Sequence, residues 1–230
     1  MVAAIWRYPV KSLGGDSLDA CDLSEHGFAD DRAWALYGAD GKIGSGKNTR
    51  RFRTMARLLE LGSTRTADGV SVRFPHGPPV LGPGPDLDAA LSRWVGEPVT
   101  VRPESNIRHH DSKPVHIIST SSLAWLGRAL GDDTAADPRR FRANLVVEFG
   151  GDAARPEEAW IDRRLAIGGA VLRVVERTAR CVMVGTTQRD LPADARLLRA
   201  LAQENHGCLG VYAEVEAGGT IRCGDTIRVT

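Results

Sequence analysis

The chain has 230 residues, 42% of them hydrophobic and 26% charged, with a formal net charge of +1; that is room for one large domain or two small ones with a real core. A charge so close to zero argues against a nucleic-acid or membrane-surface partner, and no apolar run approaches the roughly 18 residues that cross a bilayer. The start, MVAAIWRYPVKSLGG, lacks the basic leader and long apolar core of a secretory signal, so the expectation is a soluble, cytoplasmic protein.

In chain order, MVAAIWRYPV, SLDACDLSEHG, RAWALYGADGK and VSVRFP are apolar or alternating runs separated by Gly, Asp and Pro, the pattern of short strands. YPVKSLGG sets Lys11 and Ser12 after the first strand. ADDRAWAL sets Asp30, Asp31 and Arg32 before the third, where Arg32 is either structural or pointed into a pocket. YGADGKIG reads as a hairpin, because Asp40-Gly41 can supply the positive φ of a tight turn.

GKIGSGKNT has the glycine spacing of a P-loop. It carries Asn48 where Ser or Thr would hold magnesium, so a hairpin loop is expected, with Lys47, Arg50, Arg51 and Arg53 free to meet anions. HGPPVLGPGP reads as loop and DLDAALSRWVG as a short helix stopped by Gly96. A domain boundary is expected near residue 103, dividing the chain into 1–103 and 104–230.

In the second part, Val115–Ile118 reads as a buried strand running into a helix at about Ser122–Leu130. LPADARLLRALAQENHG reads as another helix, with Pro192 near its first turn. FRANLVVEFGG, LAIGGAVLRVVERTARCVMVG, LGVYAEVEAGG and TIRCGDTIRVT are β-rich. Many short strands with few helices predict an α+β fold, mostly β, with a barrel and helices at its ends.

Two stretches gather anion-binding chemistry. HIISTSSL brings Ser119, Thr120, Ser121 and Ser122 to a helix start, which suits either a phosphate or plain capping. RRFRANLVVE sets Arg139, Arg140 and Arg142 before a strand, where guanidinium groups either grip phosphate or sit in a solvated loop. The histidines do not assemble a metal site, and His116, inside an apolar strand, reads as a core residue. Neither H-E-x-x-H nor G-x-S-x-G occurs, which excludes those hydrolase classes.

Of four cysteines, Cys21, Cys181, Cys208 and Cys223, none forms a C-x-x-C pair, so free thiols are expected. Cys21 and Cys223 read as small buried packing residues. Cys181 stands apart, because Arg177 and Arg180 precede it and nearby positive charge favours a thiolate. Against that, strand alternation would send Arg180 to the opposite face, and spacing alone leaves packing and function both open.

Six segments in order, YPVKSLGG, HGFADDRAWAL, DSKPVHIISTSSL, RFRANLVVE, LAIGGAVLRVVERTARCVMVG and GVYAEVEAGGTIRCGDTIRV, resemble the MOSC superfamily, the domain also found at the C-terminus of molybdenum-cofactor sulfurases. The likeness is to its two-part members with an N-terminal MOSC barrel, the group of the mitochondrial amidoxime-reducing components. It implies a MOSC-type β-barrel with peripheral helices, a smaller N-terminal β-rich domain, and molybdenum of the molybdopterin cofactor ligated by Cys181. It further implies cofactor contacts from Lys11, Ser12, Arg32, Ser119, Thr120, Ser121, Arg140 or Arg142, Asn144 and Arg180. Two family patterns differ here: RFRPN reads RFRAN, with Ala143, and KPCARC reads ERTARC.

The implied activity is reduction of small N-oxygenated substrates with electrons from a separate protein. No plant-type iron–sulfur spacing is present, and no Schiff-base lysine for pyridoxal phosphate is evident. The alternative is a carrier of the cofactor, or of persulfide sulfur, for another enzyme. A third reading is a binding fold without molybdenum.

Overall fold

The computed structural model describes residues 1–230 except Thr134 and Asp152. It is mostly β. An eight-stranded sheet curls into a half-barrel in the order Ile227–Val229, Arg164–Ile167, Ala170–Ala179, Cys208–Ala217, Val115–Ser119, Leu145–Val147, Val2–Arg7, Asp16–Leu18. Val115–Ser119 and Leu145–Val147 run parallel, and the other pairs in this sheet are antiparallel. Alternation drives burial: in Ala170–Ala179, residues Ala170, Leu172 and Val174 face inward. Bulges interrupt that strand's pairing with Cys208–Ala217 at three points, the last between Arg177 and Ala179, and bulges bend a strand.

Three smaller sheets complete the fold. One holds Val99–Pro103, Trp34–Gly38, Ile43–Ser45 and Phe52–Thr54; another holds Val80–Gly82, Gly69–Arg73 and Gly62–Thr66; the third holds Gly219–Arg222, Ala20–Ser24 and Gly27–Phe28. The expected division at residue 103 leaves two of these sheets wholly on its N-terminal side, and two other sheets cross it. Val2–Arg7 pairs with Leu145–Val147, and Ala20–Ser24 pairs with Gly219–Arg222, so the first strands extend sheets built by the second half.

Three helices appear among the described residues: α1 (Pro85–Val95), α2 (Thr120–Leu130) and α3 (Arg196–Asn205). α1 ends at Gly96 with φ 80° and lays Leu87 and Leu91, both fully buried, on the core of Leu36, Leu61, Val70 and Val99. Each such leucine stabilises the fold by about 1.5–3 kcal/mol. A second core, including Ile5, Ile117, Leu145 and Val211, fills the half-barrel, and a third joins α2 to α3 through Leu126, Leu197 and Leu201.

Local expectations met mixed outcomes. The hairpin at Asp40-Gly41 forms, with Gly41 at φ 73° and Gly38 N–H donating to Lys42 C=O at 3.0 Å. The Pro/Gly-rich loop contains a short strand, Val80–Gly82, because its carbonyls and amides pair with Val70–Val72. α3 starts at Arg196, beyond Pro192, because Asp194 Oδ1 accepts the Arg196 N–H. Cys21 is buried as expected, whereas Cys223 is exposed, its Sγ 3.4 Å from Leu18 C=O.

Candidate functional site

Strand ends meet at one cleft between the eight-stranded sheet and the sheet containing Trp34–Gly38. Its open space, continuous with solvent, is about 850 Å³. Val2–Arg7 delivers Tyr8, Lys11 and Ser12 to this junction. The buried Tyr8 ring carries two guanidinium groups, Arg32 at 4.7 Å and Arg142 at 4.3 Å from its centroid, a favourable cation–π arrangement. Burial pushes the Tyr8 pKa up to about 12, so the phenol stays neutral.

Arg32 pairs with Asp31, whose other oxygen accepts the Tyr8 N–H at 2.8 Å, and donates to Arg142 C=O at 3.1 Å. Arg142 donates to Leu13 C=O. Burial, with Arg32 alongside, lowers the Arg142 pKa to about 10. Three residues lining this cleft, Ser12, Arg32 and Arg142, hold left-handed backbone at φ 66°, 53° and 54°. Such conformations cost energy in non-glycine residues and persist where tertiary structure over-determines them, often at functional sites.

On the other wall, Lys11 Nζ lies 3.0 Å from Asp111 Oδ2 and 4.5 Å over the Phe52 ring, and Lys47 Nζ lies 2.8 Å from Asp111 Oδ1. Burial lowers the Lys11 pKa to about 8, with Asp111 opposing the fall. Despite burial, Lys11 and Lys47 hold the Asp111 carboxyl well below its usual range.

Cys181 is exposed at the cleft rim. The strand ends at Ala179 and Cys181 opens a 3-10 turn, Val182–Gly185, so alternation no longer governs, and both Arg180 and Cys181 line the cleft. Arg180 donates to Phe141 C=O at 2.7 Å and lies 3.4 Å from His116 Nε2. Burial, then Arg180 and Arg32, push the His116 pKa far down, leaving a neutral ring. The Arg180 backbone N–H is tied to Gly207 C=O at 2.8 Å. Asn144 fastens the cleft base: its Oδ1 accepts the His116 N–H at 3.2 Å, and its Nδ2 donates to Trp6 C=O at 3.3 Å.

Among the described residues, seven cationic side chains line the cleft (Lys11, Lys47, Lys113, Arg32, Arg140, Arg142 and Arg180) with one lining carboxylate, Asp111; just outside the lining, Asp31 pairs with Arg32 and Glu214 with Lys113, which leaves Arg140, Arg142 and Arg180 without a carboxylate partner. Arg140 and Arg180 each keep a buried Nε without a hydrogen-bond partner among the described residues. Unsatisfied buried donors beside excess positive charge favour an anion with several oxygens, and the sulfur at the rim adds a soft ligand or nucleophile.

The sequence pattern of the MOSC domain matches residues 104–228, and that of the MOSC N-terminal beta barrel domain matches residues 1–93. The chain belongs to the MOSC family. Mitochondrial amidoxime-reducing component 1 of Mus musculus is 24% identical over 98% of this chain and 81% of its own length. Molybdenum cofactor sulfurase of Danio rerio is 22% identical over 90% of this chain and 31% of its own length. The YUAD protein of Bacillus subtilis shares the fold with a TM-score of 0.56 at 16% identity, covering 99% of this chain and 93% of that one.

Within this MOSC chain, the cleft brings together Lys11, Ser12, Arg32, Arg140, Arg142, Asn144, Arg180 and Cys181. Ser119, Thr120 and Ser121 do not line it. Ser119 Oγ accepts the Ser122 N–H at 2.9 Å as the cap of α2, and Glu157 Oε1 accepts from Ser119 N–H and Ser122 O–H, so capping chemistry uses this helix start. Arg177 turns away to Asn205 and Glu158. Of the loop cations, Lys47 reaches the cleft, while Arg51 stacks on Phe52 and Arg53 pairs with Glu97.

Sequence reasoning missed Asp111, Lys113, His110 and Tyr212, and took His116 for core; all five line the cleft. Tyr212 was findable, since it alternates with the fully buried Val211 and Ala213. Asp111 gave no such signal, because its partners lie 64 and 100 residues away.

Proposed function

We propose that this chain holds the molybdenum cofactor, with the Cys181 sulfur on the metal, and reduces small N-oxygenated compounds using electrons from a separate protein. One observation carries the reading: an exposed cysteine at the rim of a cleft lined by seven cations, of which Arg140, Arg142 and Arg180 have no carboxylate partner among the described residues. The names of the amidoxime-reducing and sulfurase relatives agree with it. The residues present fit the group, because Arg140 and Arg180 keep buried, unpaired Nε atoms among the described residues and a soft sulfur lines the same cleft.

Arg32, Arg142 and Arg180 would bind the anionic oxygens, with Lys11, Ser12 and Arg140 around them. Asn144 would hold the cleft base in register through its bonds to the first strand and to His116. When bound, the molybdenum centre would supply the two-electron redox step, which no side chain here can perform. Lys11 Nζ, with a pKa of about 8, can keep or release a proton near neutral pH. His116 and Tyr8 stay neutral and contribute packing and polarity.

The competing reading is a carrier that hands the cofactor or a persulfide sulfur to another protein, and the outward position of Cys181 favours it specifically. The deciding experiment measures molybdenum per chain, in wild type and Cys181→Ala, from a host that makes molybdopterin. The expected result is metal near one per chain in wild type, lost in the variant without loss of folding, together with turnover of N-hydroxylated compounds. Bound metal that exchanges readily and reduces nothing supports the carrier. No metal in either protein overturns the oxidoreductase and the cofactor carrier alike, and leaves persulfide transfer at Cys181 or a fold with an anion pocket.

A further inference from the structure

A second concavity opens beside the first. It runs between Thr54–Glu60 and the turn Val182–Thr187, and its open space is about 810 Å³. Its walls are chemically unlike those of the cationic cleft. Met55, Leu58, Leu59, Val182 and Met183 give it an apolar floor and rim, with Val182 54% exposed although it directly follows Cys181. Among the described residues, the only charged ones lining it, Arg57 and Glu60, pair with each other at 3.1 Å, and Arg57 also stacks 3.8 Å over Trp94. Met55, Leu58 and Leu59 are buried in its floor and Val182 stands exposed at its rim, and an apolar pocket wall without free charge suits an apolar ligand group.

Met183 lines both concavities. Its backbone is pinned, since its carbonyl accepts from Thr186 Oγ1 at 2.9 Å and Gln188 Nε2 at 3.2 Å. Its side chain lies flat against Gly46: a Cβ built there would meet Met183 Cγ at 2.3 Å and Sδ at 2.7 Å. Only a glycine at residue 46 lets the thioether take this path, and a methionine is soft enough to adapt to ligands of varied shape.

We propose that this groove binds the neutral apolar body, aryl or alkyl, of a small molecule whose polar end lies at Cys181, with Met183 as the adaptable wall between the two subsites. This rests on the cofactor reading for what happens at the polar end, while the groove's binding is independent of metal. The substrate class is therefore an uncharged amphiphile rather than a compact polar ion. A charged body would meet no counterion here, because Arg57 and Glu60 already satisfy each other.

The chain has three methionines, Met1, Met55 and Met183, and the latter two line the groove. Methyl-13C-methionine labelling of the full protein therefore places two reporters in the groove and one control at the N-terminus. The probes are benzamidoxime, which has an aryl body, and acetamidoxime, which has only a methyl group, titrated without an electron donor.

Saturable shifts of the Met55 and Met183 methyls with benzamidoxime, a still Met1 and little response to acetamidoxime are expected. Val182→Asp, at an exposed position that tolerates the change, should weaken the benzamidoxime response at least about tenfold by setting a carboxylate against the aryl group. Gly46→Ala should move the Met183 signal before any probe is added. Silent Met55 and Met183 signals in molybdenum-loaded protein, equal shifts at all three methyls, or unchanged affinity in Val182→Asp overturn the groove and leave the cofactor reading standing. Saturable shifts in protein that never takes up molybdenum keep the groove and overturn the cofactor reading.

Discussion

At the start of α2, Ser119 Oγ takes the Ser122 N–H, while the Ser119 N–H and Ser122 O–H both reach Glu157 Oε1, at 3.1 and 2.6 Å. Across the fold, around Cys181, Arg32 and Arg142 use part of their donor capacity on carbonyls and Asp31, and Arg140 and Arg180 retain unpaired Nε atoms. Both regions hold side chains from which anion sites are made. They differ in what pairing leaves over: a fully buried carboxylate takes the donors of the first, whereas in the second Asp31 holds Arg32 and Asp111 bridges Lys11 and Lys47, yet Arg140, Arg142 and Arg180 have no carboxylate partner among the described residues. An anion site thus depends on donors that remain after internal pairing, which a count of hydroxyls or guanidinium groups does not measure.

The largest expected effect tests the first half of that contrast. Glu157→Ala strands the Ser119 N–H and Ser122 O–H, and urea unfolding should lose about 2–4 kcal/mol. Pyrophosphate affinity of the folded variant, measured by calorimetry, should stay at the wild-type value. A parallel fall in affinity would return the helix start to the anion site.

The next tests the second half. Arg142→Ala should weaken pyrophosphate binding by about 10–100-fold, the range for a charge-assisted hydrogen bond. Arg142→Lys should recover part of it, because charge returns without the paired fork. Wild-type affinity in the alanine variant would break the contrast.

The smallest effect is in pH. The cleft histidines stay neutral through the mildly acidic range, since the His110 pKa is lowered to about 4 by burial and then Arg32, and that of His116 lies well below its usual value. Lys11 is charged below about pH 8 and neutral above it. Affinity for sulfate, an anion that does not itself titrate in this range, should therefore be flat from about pH 6 to 7 and fall a few-fold as pH rises through about 8, and Lys11→Met should flatten the curve. Stability runs the other way. Between about pH 8 and Lys11's ordinary 10.5, the unfolded chain holds a proton that the folded chain has released, so this residue makes stability rise with pH.

Several parts of the site were legible because local rules decide them. The hairpin at Gly41, the stop of α1 at Gly96 and the inward faces of Leu87 and Leu91 follow from glycine's φ freedom and helical spacing. Membership of the MOSC family followed from six ordered segments matching across the chain. The Ser119–Ser122 stretch stayed open between phosphate binding and capping, because Glu157, which takes two of its donors, lies 35 residues beyond Ser122 and nothing local announces it.

The sequence by itself determined a mostly β chain of MOSC type, and it marked Cys181 with Lys11, Ser12, Arg32, Arg142 and Arg180 as residues to watch. Tertiary structure decided which donors stay available, that Asp111 bridges Lys11 and Lys47, and that Arg180 shares a wall with Cys181. It also decided that the first strands extend the sheet of the second half, and that Met183 lies between a charged and an apolar subsite. The physical reason is common to all of these. Strand faces and turns are set by neighbours within a few residues, whereas the pairing of buried charges and the sharing of a cavity are set by groups that only folding brings within 3 to 4 Å.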